Sequence, residues 1–181
     1  TDADIFNTYR GLQIAPTPGD CSRLLRHIFE VWAREDQQQY NYILSYFADM
    51  VQRPYNLPRV GLMVRGKQGA GKSCVATPLL RAFGPHGLST SRAEQVFGRF
   101  TGHTANTILL VLEEAVFAAD PAIVNAAKDR IGNWSITVER KGIDGQKARN
   151  FAHVVSFTNA DFSTPKTADD QAGACCNRSG A

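Results

Sequence analysis

Apolar residues recur at helical spacing at Leu24, Leu25, Ile28, Phe29 and Trp32, and again at Ile43, Leu44, Phe47, Met50 and Val51. Positions three and four apart share one face of a helix, so each stripe predicts an amphipathic helix. Asp20 is placed to cap the first, and the second should stop before Pro54. The period then changes. Val60 to Val64 is a short unbroken apolar run, and Thr107 to Leu112 is the most apolar run in the chain, predicting a central parallel strand. Ser91-Arg92-Ala93-Glu94 has capping-box spacing, and Asp120-Pro121 opens a helix that should end at Gly132-Asn133. Ser135 to Val138 and Ala152 to Phe157 read as strands, with Asp144-Gly145 between them as the turn signal. Strands alternating with helices predict an α/β domain built on a mostly parallel sheet.

At 181 residues the chain is long enough for one such domain, and 43% hydrophobic with 20% charged residues puts it in the soluble globular class. No apolar run approaches the roughly 18 residues of a membrane span. Residues 1–19, with Pro16 and Pro18 flanking Thr17, read as an extended linker; residues 20–58 form a helical lead-in, 59–165 the core, and 166–181 an irregular tail. The start lacks both a methionine and a signal-peptide pattern, so the expectation is a piece of a longer cytoplasmic protein. The four cysteines, Cys21, Cys74, Cys175 and Cys176, have no zinc-ligand spacing and are expected to be free thiols. The four histidines, His27, His86, His103 and His153, are scattered and read as surface or packed residues rather than catalytic ones.

Chemistry enters directly after the first predicted strand. Gly66-Lys67-Gln68-Gly69-Ala70-Gly71-Lys72-Ser73 fits the phosphate-loop pattern G-x-x-x-x-G-K-[ST]. Its glycines let consecutive amides turn inward on phosphate oxygens, and the helix that follows adds its positive end. Lys72 is then expected to reach the β- and γ-phosphates of ATP, and Ser73 to supply a magnesium ligand. Pro78 is awkward, because a proline about one and a half turns into that helix should kink it or end it early. The central run ends in Glu113-Glu114. The first carboxylate is a candidate for holding Mg2+, the second for polarising the attacking water, and two solvated acids at a strand end are the plainer alternative. An aspartate is usual at the first position; the extra methylene moves the carboxylate about 1.5 Å. Val154 to Thr158 leads to Asn159, whose amide is suited to a γ-phosphate or to the lytic water.

The net charge of +3 argues for no partner by itself, but Arg140, Lys141, Lys147 and Arg149 stand against Glu139 and Asp144 within eleven residues, a local excess of about +2. Such a stretch is either a solvated turn or a contact for phosphates.

Taken in order, GKQGAGKS, ILLVLEEA, ERKGIDGQKARN and VVSFTN resemble superfamily-three helicases, with the nearest likeness to phage and poxvirus-type primase–helicase proteins. NTYRG and FADMVQRP upstream are similar too, so the likeness spans roughly residues 5–165. The resemblance implies an AAA+-like core with a β-hairpin just before the sensor strand. It further implies hexameric rings that pump single-stranded DNA, a fused or associated primase or polymerase module, and a viral or prophage source. On that basis Gly66, Gly69, Gly71, Lys72 and Ser73 match the phosphate loop, Glu113 and Glu114 the magnesium and base positions, and Asn159 the sensor. Lys141 falls where the family hairpin offers a basic residue to the DNA backbone. The family also carries an arginine finger after an Asp-rich turn. Here Asp169-Asp170 runs into Gln171-Ala172-Gly173, Arg178 has no reason to fill that role, and the tail from Gln171 is expected to be non-native. Three other readings stand beside the motor: a P-loop nucleoside kinase, for which no arginine-rich lid follows residue 80; a GTPase, for which Thr158-Asn159-Ala160-Asp161 lacks the base-reading lysine; and a decayed prophage remnant that binds DNA without turnover.

Overall fold

The computed structural model describes residues 7–67, 69–92, 94–98, 101–113 and 121–158. The first apolar stripe folds as α1 (Ser22–His27), continued by a π-helical turn (Ile28–Trp32), and the second as α2 (Gln37–Gln52). The wider turn shows where the Ala33 amide donates to the Ile28 carbonyl, five residues back, at 2.8 Å. Asp20 sits one residue earlier than a cap should, and Cys21 occupies the cap position without a side-chain bond; Asp20 still accepts the Ser22 amide at 2.8 Å. The better cap is Asp36, which accepts the amides of Gln38 and Gln39 at 2.8 and 2.9 Å. These bonds, that of Gln39 foremost, hold its carboxyl below the usual range. On α2 the inward positions are Ile43, Tyr46, Phe47 and Met50, while Val51 from the predicted stripe is 40% exposed.

Six strands complete the described chain: β1 (Gly61–Arg65), β2 (Gly87–Thr90), β3 (Leu109–Leu112), β4 (Ser135–Arg140), β5 (Ile143–Arg149) and β6 (His153–Thr158). Four of them form a parallel sheet in the order β1-β6-β3-β2, and β3 is interior as its apolar run predicts. Every residue of β3 and β6 is buried. Leu109, Val111, Val155 and Phe157 join a cluster with Ile28, Trp32, Phe47 and Met50 of the lead-in and with Val75 and Phe83 of α3 (Ser73–Phe83). Leu110, Leu112 and Val154 pack instead with Val96 and Phe97 of α4 (Glu94–Phe97) and Ile123 and Ile131 of α5 (Pro121–Gly132). A sheet covered on both faces explains why its strands are unbroken apolar runs rather than alternating ones. Each such side chain contributes about 1.5–3 kcal/mol by leaving water. The lead-in helices are thus one cover of the sheet and share its core.

Three local expectations are corrected. α3 runs through Pro78 to Phe83, so no early end occurs. The missing bond would have gone to Cys74 in the first turn, and burial of Val75, Ala76 and Phe83 holds the helix on either side. At α4 it is Thr90, not Ser91, that organises the start: its hydroxyl accepts the Arg92 amide at 3.0 Å and donates to Gln95 at 2.6 Å. The hairpin turn lies at Lys141-Gly142, with Gly142 at φ +79°, where glycine is favoured. Asp144-Gly145 falls inside β5, at the register shift between Val138 and Arg140. The hairpin is therefore β4 with β5, and the apolar run from Ala152 leaves it to enter the main sheet as β6.

Asn150 makes that departure possible. Only 1% exposed, it donates to the carbonyls of Arg130 at 2.6 Å and Asn133 at 2.8 Å, and its side-chain oxygen accepts the Ala152 amide at 3.1 Å. One side chain ties the end of α5, the foot of the hairpin and the approach to β6.

His153 opens β6 fully buried, 3.7 Å from the Asp49 carboxylate and edge-on to Tyr46. Burial pulls its pKa down, against smaller opposing effects of the Phe151 carbonyl and Asp49. In the unfolded chain the ring takes a proton near pH 6.5; in the fold it does so only at lower pH. Stability should hold above that range and fall as pH drops from about 6.5 towards the folded value. Urea unfolding between pH 7.5 and 5 should show this slope in the parent, and a shallower one in His153→Gln whatever its absolute stability.

Candidate nucleotide site and basic hairpin

β1 delivers the chain to the phosphate loop at the C-terminal edge of the sheet, where its last residue Arg65 is level with Thr158 of β6. The Gly66 amide donates to the Thr158 carbonyl at 3.1 Å, anchoring the start of the loop. Gly69 and Gly71 have φ of +81° and +76°, a backbone region costly to residues with a Cβ. Lys72 is 8% exposed, and its ammonium donates to the carbonyls of Gly66 at 2.6 Å and Lys67 at 3.1 Å, curling back over the loop. Lys67 and Ala70 close a turn, the Ala70 amide donating to the Lys67 carbonyl at 3.2 Å. Ser73 is exposed at the first position of α3. These groups suit a polyphosphate: two glycines in the left-handed region, a folded-in ammonium and a helix start.

The acid strand ends at the same edge. Leu112 of β3 is level with Ser156 of β6, and Glu113 comes next, partly exposed, its amide donating to the Thr90 carbonyl at 2.9 Å. The Ser89 hydroxyl donates to the Glu113 carboxylate at 3.2 Å. β6 runs between the loop strand and the acid strand, so its C-terminal end at Thr158 opens onto the gap between them. Ligands of open parallel sheets bind in such crevices beyond the strand ends. Ser73 and Glu113 are the residues here that could hold a divalent ion; among the described residues no group of three or more His, Cys, Asp or Glu gathers as a ready-made metal site. Gln68, Glu114 and Asn159 lie outside the described residues, as do Cys175, Cys176 and Arg178.

One contact had no signal in the sequence. His27, 44 residues before Gly71, reaches the loop from α1 with its Nε2 2.9 Å from the Gly71 carbonyl. A carbonyl only accepts, so the His27 proton sits on Nε2. Because a trans peptide points its C=O and N–H in opposite directions, holding the Gly71 oxygen outward aims the Lys72 amide the other way. The Cys74 amide adds a bond to the same oxygen at 3.1 Å.

Of the predicted DNA contacts, Lys141 lies at the hairpin turn, and Arg140, Lys147 and Arg149 are all exposed along its strands. Lys147 and Arg149 stand opposite Thr137 and Ser135. The Arg149 guanidinium lies 5.5 Å from the Phe151 ring centroid, a cation–π contact at the hairpin foot.

Gly69 and Gly71 separate backbone strain from crowding. A Cβ on Gly69 meets nothing within 4 Å, whereas one on Gly71 would come 2.7 Å from His27. Gly69→Ala should cost about 1–2 kcal/mol from its left-handed φ alone. Gly71→Ala should cost more, and His27→Ala should recover the excess, giving a non-additive double-mutant cycle in urea unfolding. Strict additivity would mean that His27 does not press on the loop.

The structural likenesses agree with this architecture. The apo C-terminal region of NrS-1 (305–718) superposes with a TM-score of 0.71 at 16% identity, over 91% of this chain and 39% of that one. A second apo form of that region gives 0.67 at 20% identity, over 81% and 37%. JCV helicase, solved with a thiazolopyridinyl phenoxyphenyl acetamide bound, gives 0.51 at 17% identity, over 78% and 41%. At such identities the likeness is one of fold: a helicase-like α/β domain with a parallel sheet. The chain spans about two fifths of the length of these solved chains. No curated protein matches it in sequence. Among the described residues no helix is long and apolar enough to cross a membrane. Residues 64–178, from the end of β1 onward, match the model of a family of unknown function, DUF5906, and the chain belongs to that family.

Proposed function

We propose that this chain is the ATPase motor domain of a superfamily-three helicase of the primase–helicase type, coupling ATP hydrolysis to movement on single-stranded DNA. The observation that carries this reading is the meeting, at one sheet edge, of a phosphate loop with its lysine folded in and a carboxylate-ending strand, with β6 running between them. Amides of the loop that are not spent on its own turns hold the triphosphate, and Lys72 swings from the Gly66 and Lys67 carbonyls onto the β- and γ-phosphates. Magnesium, held by Ser73 and Glu113, would neutralise charge building on the phosphate oxygens. Glu114 polarises the lytic water and Asn159 orients it; both roles rest on sequence order. Lys141 at the hairpin turn, with Arg140, Lys147 and Arg149 along the arms, contacts DNA phosphates without reading bases. The ring of subunits and the primase or polymerase partner rest on the likeness to helicases.

ATP turnover measured with and without single-stranded DNA tests the proposal, in a chain extended at both ends. DNA should raise the rate in the parent, and Lys72→Ala should lower turnover by at least roughly a hundredfold while the protein stays folded. Lys141→Ala should weaken DNA binding and reduce the slope of log affinity against log salt by about one. Turnover unaffected by DNA but raised by a small hydroxyl acceptor would favour a kinase instead. Absence of ATP binding to a folded chain would remove both readings.

A further inference from the structure

A cleft of about 300 Å³ opens at the foot of the hairpin, between α4, the end of α5 and β4. Its lining includes Phe97, Thr101, Arg130, Ser135, Ile136 and Thr137. The segments around it lead into the N-terminal ends of the strands: Thr104 precedes β3, and Asn150, bonded to the Arg130 carbonyl, precedes β6. The phosphate loop follows the C-terminal end of β1, so the two places lie at opposite edges of the parallel sheet.

Arg130 is the unusual wall. Its residue is 6% exposed, one terminal nitrogen donates to the Thr104 carbonyl at 2.9 Å, and its Nε has no partner. Among the described residues no carboxylate pairs with it. Burial draws the guanidinium pKa down to about 10. A buried cation without a counter-charge is costly, and it is ordinarily found paired or holding a ligand. Asp129 also borders the cleft, but its side chain is turned to Asn133, at 3.5 Å. The remaining walls divide by chemistry. Ser135 and Thr137 are the cleft's hydroxyl-bearing residues on β4, and they stand opposite Arg149 and Lys147 of β5 in the hairpin register. Phe97 and Ile136, both partly buried, bring apolar surface.

We propose that this cleft is a second phosphate site, apart from the phosphate loop, in which Arg130 takes the phosphate of a nucleotide unit whose base rests on Phe97 and Ile136. The fork of an arginine fits phosphate oxygens, and a charge-assisted bond inside a cleft is stronger than one at an exposed lysine. The nucleotide unit has two possible sources, a free nucleotide or one residue of the strand followed by the hairpin. In the second case the site deepens the proposed DNA contact of the hairpin and rests on it.

Two probes separate these sources: dTMP by calorimetry, and a fluorescein-labelled oligothymidylate by anisotropy. Each is titrated into the parent, Arg130→Met and Ser135→Trp. The tryptophan fills the cleft and leaves the arginine itself in place, so it serves if Arg130→Met fails to fold. Loss of the charge-assisted contact should weaken the bound probe about tenfold or more. Weakening of both probes identifies a site open to free nucleotide; weakening of the oligonucleotide alone identifies a strand phosphate. Unchanged affinities in a folded Ser135→Trp, or no binding of either probe to the parent, would overturn the proposal. ATP titrated in parallel keeps the two sites distinct: affinity for ATP should be the same in parent and cleft variants, and a parent that binds no ATP counts against the phosphate-loop reading while leaving the cleft comparison intact.

Discussion

Asn150 sets the geometry on which both candidate sites depend. To insert β6 between β1 and β3, the chain must finish α5, project a hairpin away from the sheet and come back in register. A buried amide with bonds to Arg130, Asn133 and Ala152 fixes that return within a few ångströms. It also satisfies the Arg130 carbonyl in the last turn of α5, which would otherwise be buried without a partner. No aliphatic side chain could do this, since three polar groups would lose their bonds together. Once the return is fixed, β6 is held level with both neighbours, and the gap at the end of the sheet lies between the phosphate loop and Glu113.

Much of this is readable from pattern. β1, β3 and β6 are apolar runs because both sheet faces are covered, and the phosphate loop is legible because its chemistry needs glycine and lysine at fixed spacing. The departures are local. Asp144-Gly145 is a stronger turn pair in composition than Lys141-Gly142, yet only the latter lets Ser135 to Val138 pair with Gln146 to Arg149. Pro78 reads as a helix breaker, but tertiary burial of its neighbours outweighs one lost bond near a helix start. β2 leaves no signature because four residues at a sheet edge carry too little pattern.

Sequence order does not encode long-range approach. His27 touches Gly71 because α1 packs over the same sheet face as α3, and nothing in either segment announces the other. The buried state of Arg130 is equally hidden: a lysine-and-arginine-bearing helix end, Lys128-Asp129-Arg130, reads as solvated surface until the hairpin foot and Thr104 are folded against it. Both residues are informative because a polar group is where packing alone would not put it.

The hairpin has a mechanical character of its own. Among the described residues β4 and β5 pair with each other alone, as a two-stranded ribbon, and such ribbons have little stability unless braced. Bracing runs along β4, from Asn150 and the Trp134 carbonyl at the foot, through the contact of Thr101 with Thr137, to Gly102, which lies so close to Glu139 and Arg140 that a Cβ there would clash. A six-residue strand is about 20 Å long. Displacement of Lys141 would therefore have to carry the 101–104 segment with it, and because that segment leads into β3, the ribbon tip is geared to the strand that ends at Glu113.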